Sequence, residues 1–128
     1  MKLLIICDPT GVHTKLALRK YAPEDITIWE NDPRHIYTIK QICGKINVVV
    51  NLDDLIINHM KFDFIIGNPP YQDDNDDKSS NLWSLFWVKA LTLAKDDGVV
   101  SLITPLTWLS PSQDFKSKSY GYERDLRL

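Results

Sequence analysis

Short apolar runs rich in β-branched residues recur along the chain at Leu3 to Cys7, Ile26 to Trp29, Ile46 to Val50, Phe62 to Ile66 and Val99 to Thr104. Each is continuous instead of alternating. An alternating run leaves one face for water, whereas a continuous one needs cover on both, so the pattern predicts strands of a parallel sheet with helices on each side. Helical spacing falls in the gaps, over Thr14 to Lys20, Pro33 to Cys43 and Asn81 to Lys95. Pro33 loses no hydrogen bond in a first helical turn and Asp32 can cap the free N–H groups, so the second helix has the clearest start. In the third, Leu82, Leu85, Phe86, Val88, Ala90, Leu91 and Leu93 include helical spacings, and Asp97-Gly98 reads as the stop. Strand and helix alternate with no internal repeat. This predicts an α/β fold, an open, right-handed, doubly wound and mostly parallel sheet of about five strands. Such sheets bind ligands beyond the carboxyl ends of their strands, which makes the residues after each run the candidates for chemistry.

A length of 128 residues suits one compact domain, and 44% hydrophobic with 25% charged residues is ordinary globular composition. The net charge of −2 offers no whole-surface attraction to nucleic acid, so any such contact is local or supplied by another chain. Lys116, Lys118, Arg124 and Arg127, interleaved with Tyr120 and Tyr122, could combine phosphate contacts with base stacking or form a solvated polar tail. Cys7 and Cys43 are too few and too unpatterned for a disulfide framework or zinc site; they read as reduced thiols, with a cytoplasmic location expected. The opening Leu3-Leu4-Ile5-Ile6 is far too short for a signal peptide or membrane span. The acidic run Asp73-Asp74-Asn75-Asp76-Asp77 has Lys78 and Ser84 where a calcium loop needs glycine and glutamate, and reads as a solvated loop. His35 and His59 stand apart from other ligand types, so no metal is assigned. Phe86, Trp83 and Trp87 read as helix-packing residues.

Chemistry concentrates at four run ends. Asp8-Pro9-Thr10-Gly11 follows the first, Glu30 ends the second in Trp29-Glu30-Asn31-Asp32-Pro33, and Asp53 follows the third in Asn51-Leu52-Asp53-Asp54-Leu55. The fourth, Phe62-Asp63-Phe64-Ile65-Ile66-Gly67, leads straight into Asn68-Pro69-Pro70-Tyr71. Taken singly, each acid is by default a helix cap or a solvated group, and the tetrapeptide a rigid turn with an exposed aromatic.

At these residues the chain resembles the adenine-specific DNA methyltransferases of type II restriction-modification systems, amino-methyltransferases with an Asn-Pro-Pro-Tyr motif. The resemblance runs from about Leu3 to Ser110 and is most specific over Phe62 to Gln72 and again over Gly98 to Leu109. It implies a Rossmann-like methyltransferase fold, incomplete at the C-terminus, with S-adenosyl-L-methionine as cofactor and an adenine amino group in DNA as target. Residues 1–110 are then the catalytic core and 111–128 a polar, basic tail. By the same resemblance, Asp8, Pro9 and Gly11 belong to the cofactor turn, Glu30 takes the ribose hydroxyls, and Asp53, with Asp54 as rival, reads the cofactor adenine. Asn68, Pro69, Pro70 and Tyr71 form the catalytic turn, with Asn68 also bordering the cofactor. The chemistry of the groups suits that task. An exocyclic amine is a poor nucleophile because its lone pair is delocalised; the Asn68 side-chain oxygen and Pro69 carbonyl, accepting its N–H bonds, would localise the pair, with proline keeping them preorganised. Tyr71 would stack on a flipped base.

Two departures from the family are visible. Val12 and Thr14 stand where the family pattern Asp-Pro-x-x-Gly-x-Gly has glycines that let backbone approach the cofactor; Gly11 could compensate by a shifted turn, or His13 could fill the space. The family also continues with two more strands, an aromatic loop and a target-recognition domain, so the resemblance implies a truncated or split enzyme, or one that needs a protein partner. Glutamine and RNA-guanine amino-methyltransferases share the turn and give a second reading; a non-catalytic binding or assembly module gives a third.

Overall fold

The computed structural model describes residues 1–69 and 82–103. Strands β1 (Leu3–Ile6), β2 (Ile26–Trp29), β3 (Asn47–Val49), β4 (Phe62–Gly67) and β5 (Ala94–Leu102) alternate with helices α1 (Val12–Ala17), α2 (Pro33–Cys43), α3 (Leu52–Ile57) and α4 (Leu82–Leu93), and a short 3-10 turn, Pro23–Asp25, precedes β2. The strands form one sheet in the order β3-β2-β1-β4-β5, every pairing parallel. This is the doubly wound architecture that the continuous apolar runs predict. Among the described residues no helix is long and apolar enough to cross a membrane.

Two apolar layers lie on opposite faces of the sheet. On one, Leu4, Ile6, Trp29, Phe62 and Ile65 pack with Leu52 and Leu55 of α3 and Phe86, Ala90 and Leu93 of α4. On the other, Leu3, Ile5, Ile26 and Ile28 pack with Ile39 of α2, flanked by Ala17 and Leu18. Alternate β1 residues therefore serve both layers, which is why the run is unbroken: all of Leu3–Ile6 and all of Ile26–Trp29 are buried. An edge-to-face contact between Trp29 and Phe86, centroids 4.7 Å apart at 70°, ties β2 to α4.

Local chemistry explains the element ends, including those that differ from expectation. The Asp32 side chain accepts from the Arg34 N–H at 2.9 Å and Pro33 opens the first turn, so α2 has the bounds its sequence predicts. α1 begins earlier, at Val12, because Gly11 takes the left-handed conformation (φ 75°) and serves as its N-cap. The short α3 has no counterpart in the sequence pattern; Asn51 caps it, its side chain accepting from the Asp53 N–H at 3.0 Å. α4 stops at Leu93, and Asp97-Gly98 lies within β5 instead of ending the helix. There the register slips between Phe62 and Phe64, and a Cβ on Gly98 would lie 3.0 Å from the Lys95 carbonyl and 3.1 Å from that of Phe62. The glycine serves an irregular strand start, not a helix end.

Ile65 is fully buried while Val99, on the neighbouring strand, is 52% exposed. Ile65→Ala is expected to cost about 2–5 kcal/mol and Val99→Ala less than about 0.5 kcal/mol, measured by urea unfolding. Equal costs would contradict the assignment of layers.

Candidate active site

The ladder sets the strand ends level. Ile6 pairs with Trp29 on one side and Gly67 on the other, Trp29 pairs with Val49, and Gly67 with Leu102. Cys7 and Asp8, Glu30, Val50 and Asn51, Asn68 and Ile103 therefore leave the sheet along one edge. The backbone bonds continue past the strands: Cys7 N–H donates to the Trp29 carbonyl at 2.9 Å, Glu30 N–H to Val49 at 3.0 Å, Asn68 N–H to Ile6 at 3.0 Å and Ile103 N–H to Gly67 at 2.9 Å. β1 lies where the chain order reverses, between β2 and β4, which is where such sheets open a ligand crevice.

Asp8 is buried, 1% exposed, and closes the turn after β1. One carboxylate oxygen accepts from the Thr14 N–H at 2.8 Å and the Thr14 hydroxyl at 2.7 Å; the other accepts from the His13 N–H at 3.4 Å. The Gly11 N–H donates to the Asp8 carbonyl at 3.1 Å. Thus Thr14, fully buried, binds Asp8, and Gly11 supplies the left-handed residue of the turn. Val12 and the His13 side chain are more than half exposed, and Pro9 is exposed.

Glu30, 2% exposed, is the second buried carboxylate. Its Oε2 accepts from the N–H groups of Asn31 and Asp32 at 3.0 and 3.2 Å, which fixes the plane of the group. Its Oε1 accepts from the Cys7 thiol at 3.6 Å and has His35 Nδ1 at 3.2 Å. The His35 contact has ion-pair distance without hydrogen-bond alignment, and Nδ1 is buried with no hydrogen-bond partner among the described residues. His35 thus does not stand apart from carboxylates, as its sequence position suggested. It lies on Glu30, with Asp32 Oδ2 3.7 Å from its Nε2. The missed signal was its place in the first turn of a helix entered directly from Glu30. Burial, the Glu30 charge, the bond to Glu30 and the Asp8 charge together push the Cys7 thiol up to about 12. Among the described residues no group of three or more His, Cys, Asp or Glu could hold a metal ion.

Asp53 sits in the first turn of α3, its carboxylate half exposed and 3.0 Å from Lys89 Nζ. Asp54 is exposed. Lys89 lines a hollow of about 160 Å³ with Trp29, Val50, Asn51, Leu52 and Phe86, and the Trp29 indole N–H is held by the Val50 carbonyl at 3.0 Å. A larger hollow of about 530 Å³ beside α1, walled by Val12, Leu16 and Ile42, contains none of these carboxylates.

Asn68 is exposed just past β4 and Pro69 is buried. Gly67 has φ 155°, and a Cβ there would lie 2.2 Å from the Ile6 carbonyl oxygen, a separation no side chain permits. Pro70, Tyr71 and the acidic run 73–77 lie outside the described residues, as do Pro105 to Leu109 and the basic stretch from Lys116 to Arg127. The structure therefore brings Asp8, Gly11, Glu30 and Asn68 to one edge of the sheet, places Asp53 on a helix beside it, and adds Asn51 and His35.

The family model described as Eco57I restriction-modification methylase matches residues 13–122. Modification methylase CviBIII of Paramecium bursaria Chlorella virus NC1A is 41% identical over a stretch covering 46% of this chain and 18% of that protein. Among solved structures, TrmN from Thermus thermophilus superposes with a TM-score of 0.66 at 19% identity, covering 83% of this chain and 33% of that one. Thermoplasma acidophilum 1320 gives a TM-score of 0.58 at 20% identity, covering 97% and 56%. The fold is Rossmann-like and is shared with both structures. The chain spans less than two thirds of the length of each of these relatives.

Two stability effects follow from the buried carboxylates. Thr14→Val removes the hydroxyl bond to Asp8 at nearly constant volume and is expected to cost about 1–3 kcal/mol in urea unfolding. Cys7 keeps its proton in the fold to about pH 12 against an ordinary value of 9.0. Its contribution is thus full below pH 9 and is lost as the pH rises toward 12, because only the unfolded chain releases the proton there. Cys7→Ala should show a shallower alkaline decline of stability than the parent; parallel curves would contradict the shift.

Proposed function

The chain belongs to the Eco57I restriction-modification methylase family, and from that premise we propose that it carries the catalytic core of an S-adenosyl-L-methionine-dependent methyltransferase acting on the exocyclic amino group of adenine in DNA. The observation that carries this reading is the alignment of Asn68 with Glu30 and Asp8 at level strand ends, with Asn68 bonded through its N–H to the Ile6 carbonyl.

The residues present fit the cofactor. Glu30 is a buried carboxylate at a strand tip whose Oε1 faces an orphaned donor, the arrangement a ribose hydroxyl would complete. The hollow beside it has an aromatic wall in Trp29 and Phe86 and polar groups in Asn51 and Lys89, suited to an adenine ring. Asp53, bonded to Lys89, is the acid we assign to the adenine amino group, with Asp54 the rival. Asp8, Pro9 and Gly11 shape the turn at the methionine end, and Asn68 borders it. When bound, S-adenosyl-L-methionine supplies an electrophilic methyl group.

The catalytic contribution is assigned to Asn68 and Pro69. Their side-chain and backbone oxygens accept the two N–H bonds of the target amine, which concentrates its lone pair on nitrogen. The buried ring of Pro69 and the Asn68 tie to Ile6 keep those acceptors oriented beforehand, so the cost of alignment is met in folding and not in the reaction. Pro70 is assigned to the same motif, and Tyr71 the role of stacking on the extruded base. The core comprises residues 1–110; with a net charge of −2, DNA contact falls to the basic tail 111–128, to a partner or to a target-recognition domain.

One observation favours a second reading. Thr14 fills a glycine position with a buried, bonded side chain, as a binding or assembly module that no longer takes cofactor could do. A glutamine amide or RNA guanine amine would also suit the clamp, and mass spectrometry of the methylated product separates these from adenine.

Asn68→Ala tests the principal reading. Methyl transfer to adenine-containing DNA should fall by about 10²–10³-fold or more while S-adenosyl-L-homocysteine affinity stays nearly constant, because the lost interaction belongs to the transition state. An unchanged rate removes Asn68 from the mechanism, and failure of the parent protein to bind cofactor in calorimetry selects the non-catalytic module.

A further inference from the structure

We propose that His35 is a second reader of the cofactor ribose, donating from Nδ1 to the same hydroxyl that donates to Glu30. The proposal rests on the cofactor reading above and assigns a specificity role to a residue that the family motifs do not include.

Glu30 uses its two oxygens differently. Its Oε2 is occupied by two backbone donors, the Asn31 and Asp32 N–H groups at 3.0 and 3.2 Å. Among the described residues its Oε1 has only a sulfur donor at 3.6 Å, a weak one, and His35 Nδ1 at 3.2 Å. Two acceptors would repel at that separation, so Nδ1 carries the proton. Yet the N–H is not directed into Oε1, and the buried nitrogen has no other partner among the described residues. A buried donor beside a buried acceptor, close but misaligned, is satisfied by a group that accepts from one and donates to the other. A hydroxyl does both; a methyl or a carbonyl oxygen does not.

The imidazole is placed for this by the helix entry. Asp32 caps α2 and Pro33 starts it, setting His35 in the first turn facing back to Glu30. Arg34, bonded through two nitrogens, holds Asp32 ionised, down to about 2. The Asp32 carboxylate lies 3.7 Å from His35 Nε2, too far for a hydrogen bond but close enough to bias the ring's orientation. Thr38 and Arg34 bond to each other along the helix and do not compete for the ring.

The test is a ligand-and-mutant cycle by calorimetry on the full chain, using S-adenosyl-L-homocysteine and its 2′-deoxy and 3′-deoxy forms against the parent, His35→Ala and His35→Asn. Asparagine can place an amide N–H near the Nδ1 position. For the hydroxyl that His35 reads, removal of His35 should weaken the full ligand about tenfold, leave the corresponding deoxy ligand unchanged, and be partly rescued by asparagine. Equal weakening of all three ligands, or no weakening, overturns the role of His35 while leaving the cofactor reading intact. Failure of the parent to bind S-adenosyl-L-homocysteine overturns the cofactor reading itself and this inference with it.

Discussion

The Ile6 carbonyl sets the spacing between the first and fourth strand ends, and the alignment of the site follows from it. It accepts from the Asn68 N–H at 3.0 Å while the Gly67 backbone passes so close that a Cβ would stand 2.2 Å away. A side chain at Gly67 would push β4 off β1 and carry Asn68 with it. The remaining tips are levelled in the same way, by peptide groups of Cys7, Glu30 and Ile103 bonding to the strand alongside. Backbone geometry thus positions the candidate residues before any side-chain contact is made, and the apolar layers on each face of the sheet hold that geometry rigid.

Within this frame Asp8 and Glu30 face the same difficulty, since a buried carboxylate is costly unless its lone pairs are engaged. Both meet it with backbone N–H groups, but with different remainders. Asp8 gives one oxygen wholly to Thr14 and the other to the His13 N–H. Glu30 commits one oxygen to the chain and presents the other to a thiol and a misaligned imidazole. The thiol is held between the two acids by a left-handed residue, Cys7 at φ 68°, a conformation that costs a side chain about 1–2 kcal/mol. That strain sits where β1 must turn sharply to bring Asp8 under α1.

The legible parts of this arrangement were those that depend on local chemistry. β2 and α2 could be bounded from the sequence because unbroken burial and an Asp-Pro helix entry leave their marks on adjacent residues. Glu30 and Asn68 were accessible because each follows an apolar run directly. α3 was hidden because six residues span too few turns for periodicity to register, and its cap, Asn51, is read only once the helix is known. Asp97-Gly98 misled because the same glycine suits a helix end and a strand bulge; its role depends on the Phe62 carbonyl in another strand. The His35 contact is not legible in the sequence because its partner lies five positions back across a bend, a contact that neither helical nor strand spacing brings together.

In the first turn the backbone donors are engaged by the turn itself. Every N–H from Gly11 to Thr14 is engaged within the turn: Gly11 to the Asp8 carbonyl at 3.1 Å, Val12 to the exposed Thr10 hydroxyl at 3.5 Å, and His13 and Thr14 to the Asp8 carboxylate at 3.4 and 2.8 Å. A glycine-rich turn of this kind commonly leaves such groups free to cradle a ligand. Here they stabilise the protein, and the Thr14 hydroxyl adds a further bond to Asp8 that glycine could not make. The turn therefore contributes shape and rigidity but little hydrogen-bonding capacity. Such capacity lies instead at the second strand tip, where among the described residues a buried imidazole nitrogen has no hydrogen-bond partner and the carboxylate oxygen beside it accepts only from a thiol. The two strand tips therefore differ in kind: the donors after the first are engaged by their own turn, while the second keeps an imidazole nitrogen that the described residues leave without a partner.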